Sequence, residues 1–234
     1  MIKLDPPPKV ITFDCYGTLV QWYEVLEHEV AKTLRSRGKS DAAAYAVVNA
    51  FSLHSRRLTS EKPHRLFKDV MRIGFTAAFR EHGIALTTQD IERIVSCPTI
   101  MPPHPEVRDA LQRLQRHYKL AILSNTDDDL IAPTLVNIGV RFDHVITGQQ
   151  ARHYKPAREI FDYSYARMGV KQDETVHVAM GMYTDMKPSR EIGVRAIWVN
   201  RRKENGNLDW RSYTEVSNLT EAAEILVPSG LNSR

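Results

Sequence analysis

The stretch Val10-Ile11-Thr12-Phe13-Asp14-Cys15-Tyr16-Gly17-Thr18-Leu19 is the strongest guide to the fold of this 234-residue chain. Its four strand-forming residues, mostly apolar on both sides of the pleat, predict a central parallel strand that is covered on both faces. Asp14 follows directly, and Gly17 permits a sharp turn. Because open α/β sheets bind ligands at the carboxyl ends of their strands, Asp14 is a candidate functional residue. An acid at such a point is also common as a turn or helix-cap residue.

The phrase Phe-Asp-x-Tyr-Gly-Thr-Leu, from Phe13 to Leu19, resembles the first motif of the haloacid dehalogenase superfamily, whose Asp is a nucleophile. Phosphatases of that superfamily carry a second Asp two residues later, which protonates the leaving group. This chain has Tyr16 there, as does the L-2-haloacid dehalogenase branch. A halide leaves without a proton, whereas the bridging oxygen in phosphoryl transfer needs one. Tyr16 therefore argues against a phosphatase.

The composition is that of a soluble globular protein, with 42% hydrophobic and 26% charged residues. No apolar run approaches the roughly 20 residues that span a bilayer, and residues 1–8 lack the apolar core of a signal peptide. Cys15 and Cys97 have neither metal-type nor redox-type spacing, so we expect a cytoplasmic location. The net charge of +4 is spread along the chain without a nucleic-acid motif. This balance suits a small anionic substrate and argues against nucleic acid or membrane partners.

Helical periodicity predicts four helices in series after the first strand, over residues 22–37, 41–57, 63–83 and 89–96. Asp41 is expected to cap the second helix, and Thr87 or Thr88 the fourth. One side of the second helix is expected to carry Ala42, Tyr45, Ala46, Asn49 and Leu53. Helices in this position predict a small helical cap domain, residues 21–99, inserted over the site.

Pro102-Pro103-His104-Pro105 marks the return to the core, where strands and helices alternate. Apolar strands are predicted over residues 120–124, 144–146, 176–179 and 196–200. The alternation predicts an α/β fold, a Rossmann-like parallel sheet wound on both faces with the helical cap domain inserted after its first strand. The core domain would comprise residues 1–20 and 100–234.

Polar groups follow successive strands at the same rim of the predicted sheet. Taken singly, such residues are typical of turns, caps or solvated surface. In their order along the chain they resemble motifs one to four of the superfamily. They are Asp14, Thr18, Ser124, Asn125, Lys155 and Asp185.

The resemblance implies a metal-independent hydrolysis without any cofactor. Asp14 would attack the substrate carbon and form an aspartyl ester. Lys155 would keep Asp14 ionised, and Thr18 would fix its carboxylate. Asp185 would position the water that hydrolyses the ester.

The resemblance also implies a pocket for a small carboxylate substrate. Ser124 and the backbone amide of Asn125 would hold the substrate carboxylate by hydrogen bonds, with Tyr16 as a further substrate-binding residue. The branch also carries an Arg in the cap for the departing halide. That Arg has no counterpart at the expected place, and the nearby candidates are His54, Arg56, Arg57 and Arg65.

Three positions depart from the dehalogenase pattern. Met180 and Met182 replace a Ser and an Asn that handle water, and Phe161 replaces a Tyr for which Tyr163 is a doubtful substitute. Thioethers are also poor ligands for magnesium, so Met180 argues a second time against a phosphatase.

Four hypotheses remain at this point. The first is an (S)-2-haloacid dehalogenase-like hydrolase, and the second opens a strained cyclic amino acid such as azetidine-2-carboxylate with the same nucleophile. The third is a magnesium-dependent phosphatase, and the fourth is a non-catalytic protein with this fold. A homodimer is possible in each case.

Overall fold

The computed structural model describes residue 2 and residues 4–227. Six strands in this range form one sheet in the order β3-β2-β1-β4-β5-β6, and every neighbouring pair is parallel. The strands are β1 Val10–Phe13, β2 Lys119–Ser124, β3 His144–Thr147, β4 Thr175–Ala179, β5 Ala196–Val199 and β6 Tyr213–Val216. The predicted α/β fold is confirmed. The predicted core range also includes residues 1, 3 and 228–234, which lie outside the described residues.

Helices lie on both sides of this sheet. They are α1 Trp22–Ser36, α2 Ala44–Ser60, α3 Phe67–Glu81, α4 Thr88–Ser96, α5 Val107–Gln115, α6 Asp128–Ile138, α7 Gly148–Ala151, α8 Arg158–Met168, α9 Lys187–Ile192 and α10 Leu219–Leu226. None of the described helices is long and apolar enough to cross a bilayer.

The central strand β1 is buried on both faces, as its sequence predicts. Ile11 and Phe13 point into the larger apolar cluster, which also contains side chains of α1 to α5. Val10 points the other way, into a second cluster with residues of β2 and α8. Because alternate residues of a strand face opposite sides, covering both sides requires a continuous apolar run.

The helices α1 to α4 follow β1 directly, and we refer to residues 22–96 as the helical insert. Thr87 caps α4 in a capping box with Asp90, and it is one of the two residues, Thr87 and Thr88, that were predicted for this cap. The prediction for α2 was wrong in two respects. Asp41 does not cap α2 but begins a short 3₁₀ turn, Asp41–Ala43, whose N-cap is Ser40, and α2 itself has no side-chain cap. The buried residues of α2 also differ from the expected side, and they are Ala44, Val47, Val48, Phe51 and Leu58.

The exposed side of α2 includes Tyr45 and Leu53, which are 54% and 65% exposed. The first ten residues of α2 are mostly apolar, so their spacing does not decide which side packs inward, and contacts with α1 and α3 decide it. The sheet also extends beyond β5, the last strand that was predicted. A sixth strand, β6, pairs with β5, and α10 follows β6. β6 is an edge strand with three of its four residues outside the buried core, so it lacks an apolar run.

Two hydrogen-bonded contacts fix the start of α3 against the core. The Asp127 carboxylate accepts hydrogen bonds from the backbone N–H groups of Phe67 at 2.8 Å and Lys68 at 2.9 Å. The Tyr154 hydroxyl donates to the carbonyl oxygen of Arg65 at 2.7 Å. The first helical N–H groups have no partner inside their own helix, so a core carboxylate that binds them anchors the insert beside the sheet.

Candidate active site

Asp14 lies at the carboxyl end of β1 and is held on both carboxylate oxygens. The Lys155 ammonium lies 2.9 Å from Oδ1, and the Thr18 hydroxyl donates to Oδ2 at 2.8 Å. Thr18 in turn accepts a hydrogen bond from the backbone N–H of Met180 at 2.9 Å. The loop turns at Gly17, whose φ of +85° suits glycine, and a Cβ there would lie 2.5 Å from the Met180 sulfur.

Lys155 is 1% exposed and bridges two carboxylates. Its Nζ lies 2.9 Å from Asp14 and 2.6 Å from Asp185. The loop that carries Lys155 is fixed by the side chain of Asn125, which accepts from the Lys155 N–H at 2.7 Å and donates to its carbonyl oxygen at 2.9 Å. The Asn125 side chain therefore positions the lysine, whereas the sequence assigned its backbone amide to substrate binding.

Asp185 is completely buried, and three donors hold its carboxylate. Lys155 and His177 Nε2 approach Oδ1 at 2.6 and 2.9 Å, and the Thr184 hydroxyl donates to Oδ2 at 2.5 Å. The backbone of Gly181 passes so close that a Cβ there would lie 2.2 Å from Oδ2. Any larger residue at position 181 would displace the Asp185 carboxylate.

His177 is a member of the site that the sequence analysis missed. It is 1% exposed within β4, and its Nδ1 lies 2.9 Å from the Thr12 hydroxyl of β1. Since Asp185 only accepts, Nε2 must carry the hydrogen that faces it, in the neutral and in the charged imidazole alike. The ring of Phe161 packs edge-on against His177 at 5.9 Å. A histidine between two valines of a buried strand is the signal that was available.

One ammonium faces two carboxylates in this cluster, and burial together with these neighbouring charges sets the pKa values. Burial raises the pKa of Asp14, and Asp185 raises it further, against the opposing effect of Lys155. Burial opposes the charge of Asp185 as well, but Lys155 and His177 outweigh it and lower the pKa of Asp185 to about 2. Burial opposes the charge of Lys155, and the two carboxylates outweigh it and raise the pKa. Asp14 is therefore the more easily protonated of the two acids.

A cavity of about 150 Å³ opens above Asp14 and Lys155. Its walls include Tyr16 and Trp22, whose rings pack 5.4 Å apart, together with Phe67 of α3. Ser124 also lines it, and its buried Oγ has no hydrogen-bond partner among the described residues. The Tyr16 hydroxyl lies 3.1 Å from the Thr134 hydroxyl. Tyr16 thus contributes its ring to the cavity, and Ser124 presents a free hydroxyl.

The structure brings together all seven predicted site residues around this cavity or directly beneath it. Of these, Asp14, Tyr16, Ser124, Asn125 and Lys155 line the cavity, whereas Thr18 and Asp185 lie behind it. Thr184, which was not predicted, lines the cavity and reaches Asp185. The described part of the chain contains no group of three or more His, Cys, Asp or Glu side chains that could hold a metal ion.

The departures from the dehalogenase pattern occupy different places. Met180 lines the cavity and packs on Gly17, whereas Met182 lines only a neighbouring recess. Phe161 lies under the site against His177. Tyr163 packs with the second apolar cluster, on the far side of β1 from the helical insert.

Three of the four candidates for the cap arginine are engaged elsewhere. Arg57 and Arg65 both pair with Glu61, and His54 pairs with Glu81. The remaining candidate, Arg56, lines the recess beside the cavity.

Relatives with known activities resemble this chain over most of its length. Haloacetate dehalogenase H-2 of Moraxella sp. (strain B) is 26% identical over 82% of this chain and 86% of its own. An (S)-2-haloacid dehalogenase of Pseudomonas putida is 26% identical over 94% of this chain and 96% of its own. A glyceraldehyde 3-phosphate phosphatase of Methanocaldococcus jannaschii is 28% identical over 54% of this chain and 58% of its own.

Solved structures share the same fold. The L-2-haloacid dehalogenase from Xanthobacter autotrophicus superposes with a TM-score of 0.83 at 18% identity, covering 95% of this chain and 99% of that one. The family model of haloacid dehalogenase-like hydrolases matches residues 8–179, which include β1 to β4 and the helical insert. This chain belongs to the haloacid dehalogenase-like hydrolase family.

Proposed function

We propose that this enzyme hydrolyses the carbon–halogen bond of a small 2-halo carboxylic acid, as an (S)-2-haloacid dehalogenase does. The observation that carries the proposal is the Asp14 carboxylate, held by Lys155 at 2.9 Å and Thr18 at 2.8 Å on the wall of a cavity with aromatic sides. The similarity to two curated dehalogenases over more than four fifths of the chain supports it.

In the first step, an oxygen of ionised Asp14 attacks carbon 2 of the substrate. The carbon–halogen bond breaks, the halide leaves with its electron pair, and an aspartyl ester forms. Lys155 and Thr18 hold the two oxygens in a fixed orientation, which lowers the entropic cost of attack. The free hydroxyl of Ser124 is available to bind the substrate carboxylate.

In the second step, water attacks the carbonyl carbon of the ester and releases the hydroxy acid. Asp185 does not line the cavity, but the Thr184 hydroxyl lies between it and the cavity and donates to it. The proton of the attacking water passes to Thr184 Oγ1, and the proton of Thr184 passes to Asp185 Oδ2. The second hydrogen of the water, now on the tetrahedral hydroxyl, passes to the departing ester oxygen, which leaves as the hydroxyl group of the product, and Asp14 is regenerated as a carboxylate. The proton on Asp185 then returns to solvent through Thr184. His177 is a positioning residue that holds Asp185 for this transfer.

The decisive experiment measures halide release from 2-chloropropionate in the presence of a metal chelator. We expect turnover of one enantiomer, and turnover in labelled water should place the label in Asp14, because water attacks the carbonyl of that residue. A chelator-sensitive release of phosphate from phosphate esters, without halide release, would contradict the proposal.

The phosphatase alternative has one observation in its favour, the similarity to a phosphatase over half of the chain. Against it, Tyr16 and Met180 occupy the positions at which the phosphatases of the superfamily carry acids, and neither side chain is a good magnesium ligand. Ring opening of a cyclic amino acid would show turnover without halide, and a non-catalytic protein would leave Asp14 unlabelled.

Three further features belong to the proposal. We assign residues 21–99 to a cap domain that closes the cavity, and residues 1–20 and 100–234 to the core. We expect a cytoplasmic enzyme, since both cysteines are free thiols. A homodimer remains a prediction that size-exclusion chromatography with light scattering would test.

A further inference from the structure

The catalytic cavity continues into a second recess of about 260 Å³. Both spaces are lined by Trp22, Tyr23, Phe67 and Met180, so a ligand can occupy the two together. The cavity of about 150 Å³ alone is small beside typical ligand pockets of about 300 to 1,000 Å³. The shared walls indicate that the natural substrate extends beyond the atoms that react at Asp14.

The recess has an excess of positive charge. Arg56 of α2 lines it, and the Arg56 guanidinium has no hydrogen-bond or ion-pair partner among the described residues and lies 4.9 Å from the ring centre of Tyr183. Arg202 also lines it, over the ring of Tyr23 at 4.0 Å, and reaches Glu204 at 3.5 Å. Glu204 is the one acid among the described lining residues, and Glu27, outside the lining, lies 3.8 Å from Arg202, so neither acid pairs with Arg56.

The surroundings extend this positive charge. A third cavity of about 390 Å³ shares Arg56 and Tyr183 with the recess. Its Lys and Arg side chains, with Lys62 and Arg152 among them, outnumber the two acids of its described lining, Glu61 and Glu159. Cations that line adjoining clefts raise the local concentration of anionic ligands. Arg56 lines both of these spaces, and the preceding residue, Ser55, lines the recess and the catalytic cavity alike.

We propose that the recess binds a second anionic group of the substrate through Arg56, so that the preferred substrate is a 2-substituted carboxylic acid with a further carboxylate or comparable anion at its other end. The first carboxylate lies at Ser124, and the second meets a guanidinium whose planar fork matches it. That the substrate carries a leaving group at carbon 2 rests on the proposed function. The binding of an acid with an anionic group at each end does not.

The test compares 2-chloro diacids of increasing length, such as 2-chloroglutarate and 2-chloroadipate, with 2-chloro monoacids of the same carbon number. The variants are Arg56→Gln and, as matched control, Arg57→Gln, because Arg57 is the adjacent residue, pairs with Glu61 and lies outside the recess. A charged hydrogen bond contributes about 1.5 to 3 kcal/mol, so we expect kcat/KM to favour at least one diacid about 10- to 100-fold. Arg56→Gln should abolish this preference, and Arg57→Gln should retain it.

Two results would overturn the proposal. The first is a wild-type enzyme without a preference for any diacid. The second is an Arg56→Gln variant whose kcat/KM falls as much for 2-chloropropionate as for the diacids, which would place Arg56 at the leaving halide instead. Calorimetric titration of glutarate and adipate into the same three proteins separates the two proposals. Binding that depends on Arg56, in a protein that releases no halide, would sustain the recess and refute the dehalogenase function.

Discussion

The floor and the rim of the cavity differ in how their polar groups are partnered. On the floor, Asp14, Lys155, Asp185 and His177 are buried and bind one another at 2.6 to 2.9 Å. Along the cavity and its recess, the buried hydroxyl of Ser124 and the guanidinium of Arg56 have no hydrogen-bond partner in the described chain, and we call these two groups the rim. Buried polar groups are nearly always paired, so folding itself fixes the floor, while the rim keeps its groups for a ligand. Chemistry and substrate choice are therefore separable by mutation.

The substitution with the largest expected effect on activity is Asp14→Asn, on the floor. We expect kcat to fall by about 10⁴-fold or more, because the amide is no nucleophile. Burial raises the pKa of Asp14, so the folded state favours the protonated acid over the carboxylate. The stability that protonated Asp14 contributes is lost as the pH rises from the ordinary carboxylate value through that raised pKa. At neutral pH the neutral Asn should thus leave the melting temperature unchanged or raise it. A clear drop in the melting temperature would show that the ionised Asp14 stabilises the fold.

Lys155→Met removes the cation of the floor, whereas Asp14→Asn removes one of its anions. The substitution leaves two buried carboxylates without their shared ammonium, which costs about 3 to 5 kcal/mol when a buried pair loses one partner. We expect both turnover and the free energy of unfolding to fall, measured by halide release and urea denaturation. Arg158→Met is a matched control on the following helix, since Arg158 pairs with Asp162 at the surface. Equal effects of the two substitutions would contradict the buried cluster as the source of the loss.

His177 tests whether the floor acts as a unit. His177→Leu removes the hydrogen bond to Asp185, and groups that orient a reactive ligand typically contribute about 10- to 100-fold to activity. We expect ester hydrolysis to slow by this amount, so that the Asp14 ester accumulates and is seen by intact-protein mass spectrometry. His177→Gln can still donate to Asp185 and should restore most of the rate. If both variants lose the same activity, His177 acts through packing alone.

The charge excess of the floor predicts a pH effect. Only ionised Asp14 attacks, and the pKa of Asp14 is raised by burial and, to a smaller extent, by Asp185. The rate of ester formation should therefore fall, on acidification, at a pH above the ordinary carboxylate value of 3.8. Asp185→Asn removes one negative charge and should move this acid limb to lower pH. Quenched single-turnover reactions measure the limb, and a shift to higher pH would contradict the assigned charges.

The floor could largely be predicted from the sequence, because parallel strands bring their carboxyl ends to one edge of the sheet. Asp14 lies at the end of β1, and the connections after β3 and β4 bring Lys155 and Asp185 to the same edge of the sheet. His177 could not be placed, since its role depends on the side of β4 that faces Asp185. The orientation of α2 was harder to predict. Its first ten residues are mostly apolar, so their spacing does not identify the buried side, and packing decides that Arg56 reaches the recess while Arg57 does not.

The smallest expected effect distinguishes the two methionines that replace polar residues of the dehalogenase pattern. Met182 lines only the recess, so Met182→Asn should change kcat for 2-chloropropionate by less than about twofold, the scale of a surface substitution away from the reacting atoms. Met180→Ser is the contrasting variant, because Met180 lines the cavity and packs on the Gly17 turn. Steady-state kinetics on a monoacid and a diacid measure both variants. If Met182→Asn alters the diacid and spares the monoacid, the recess is part of the binding site; if it changes kcat for both alike, the floor extends further than its hydrogen bonds indicate.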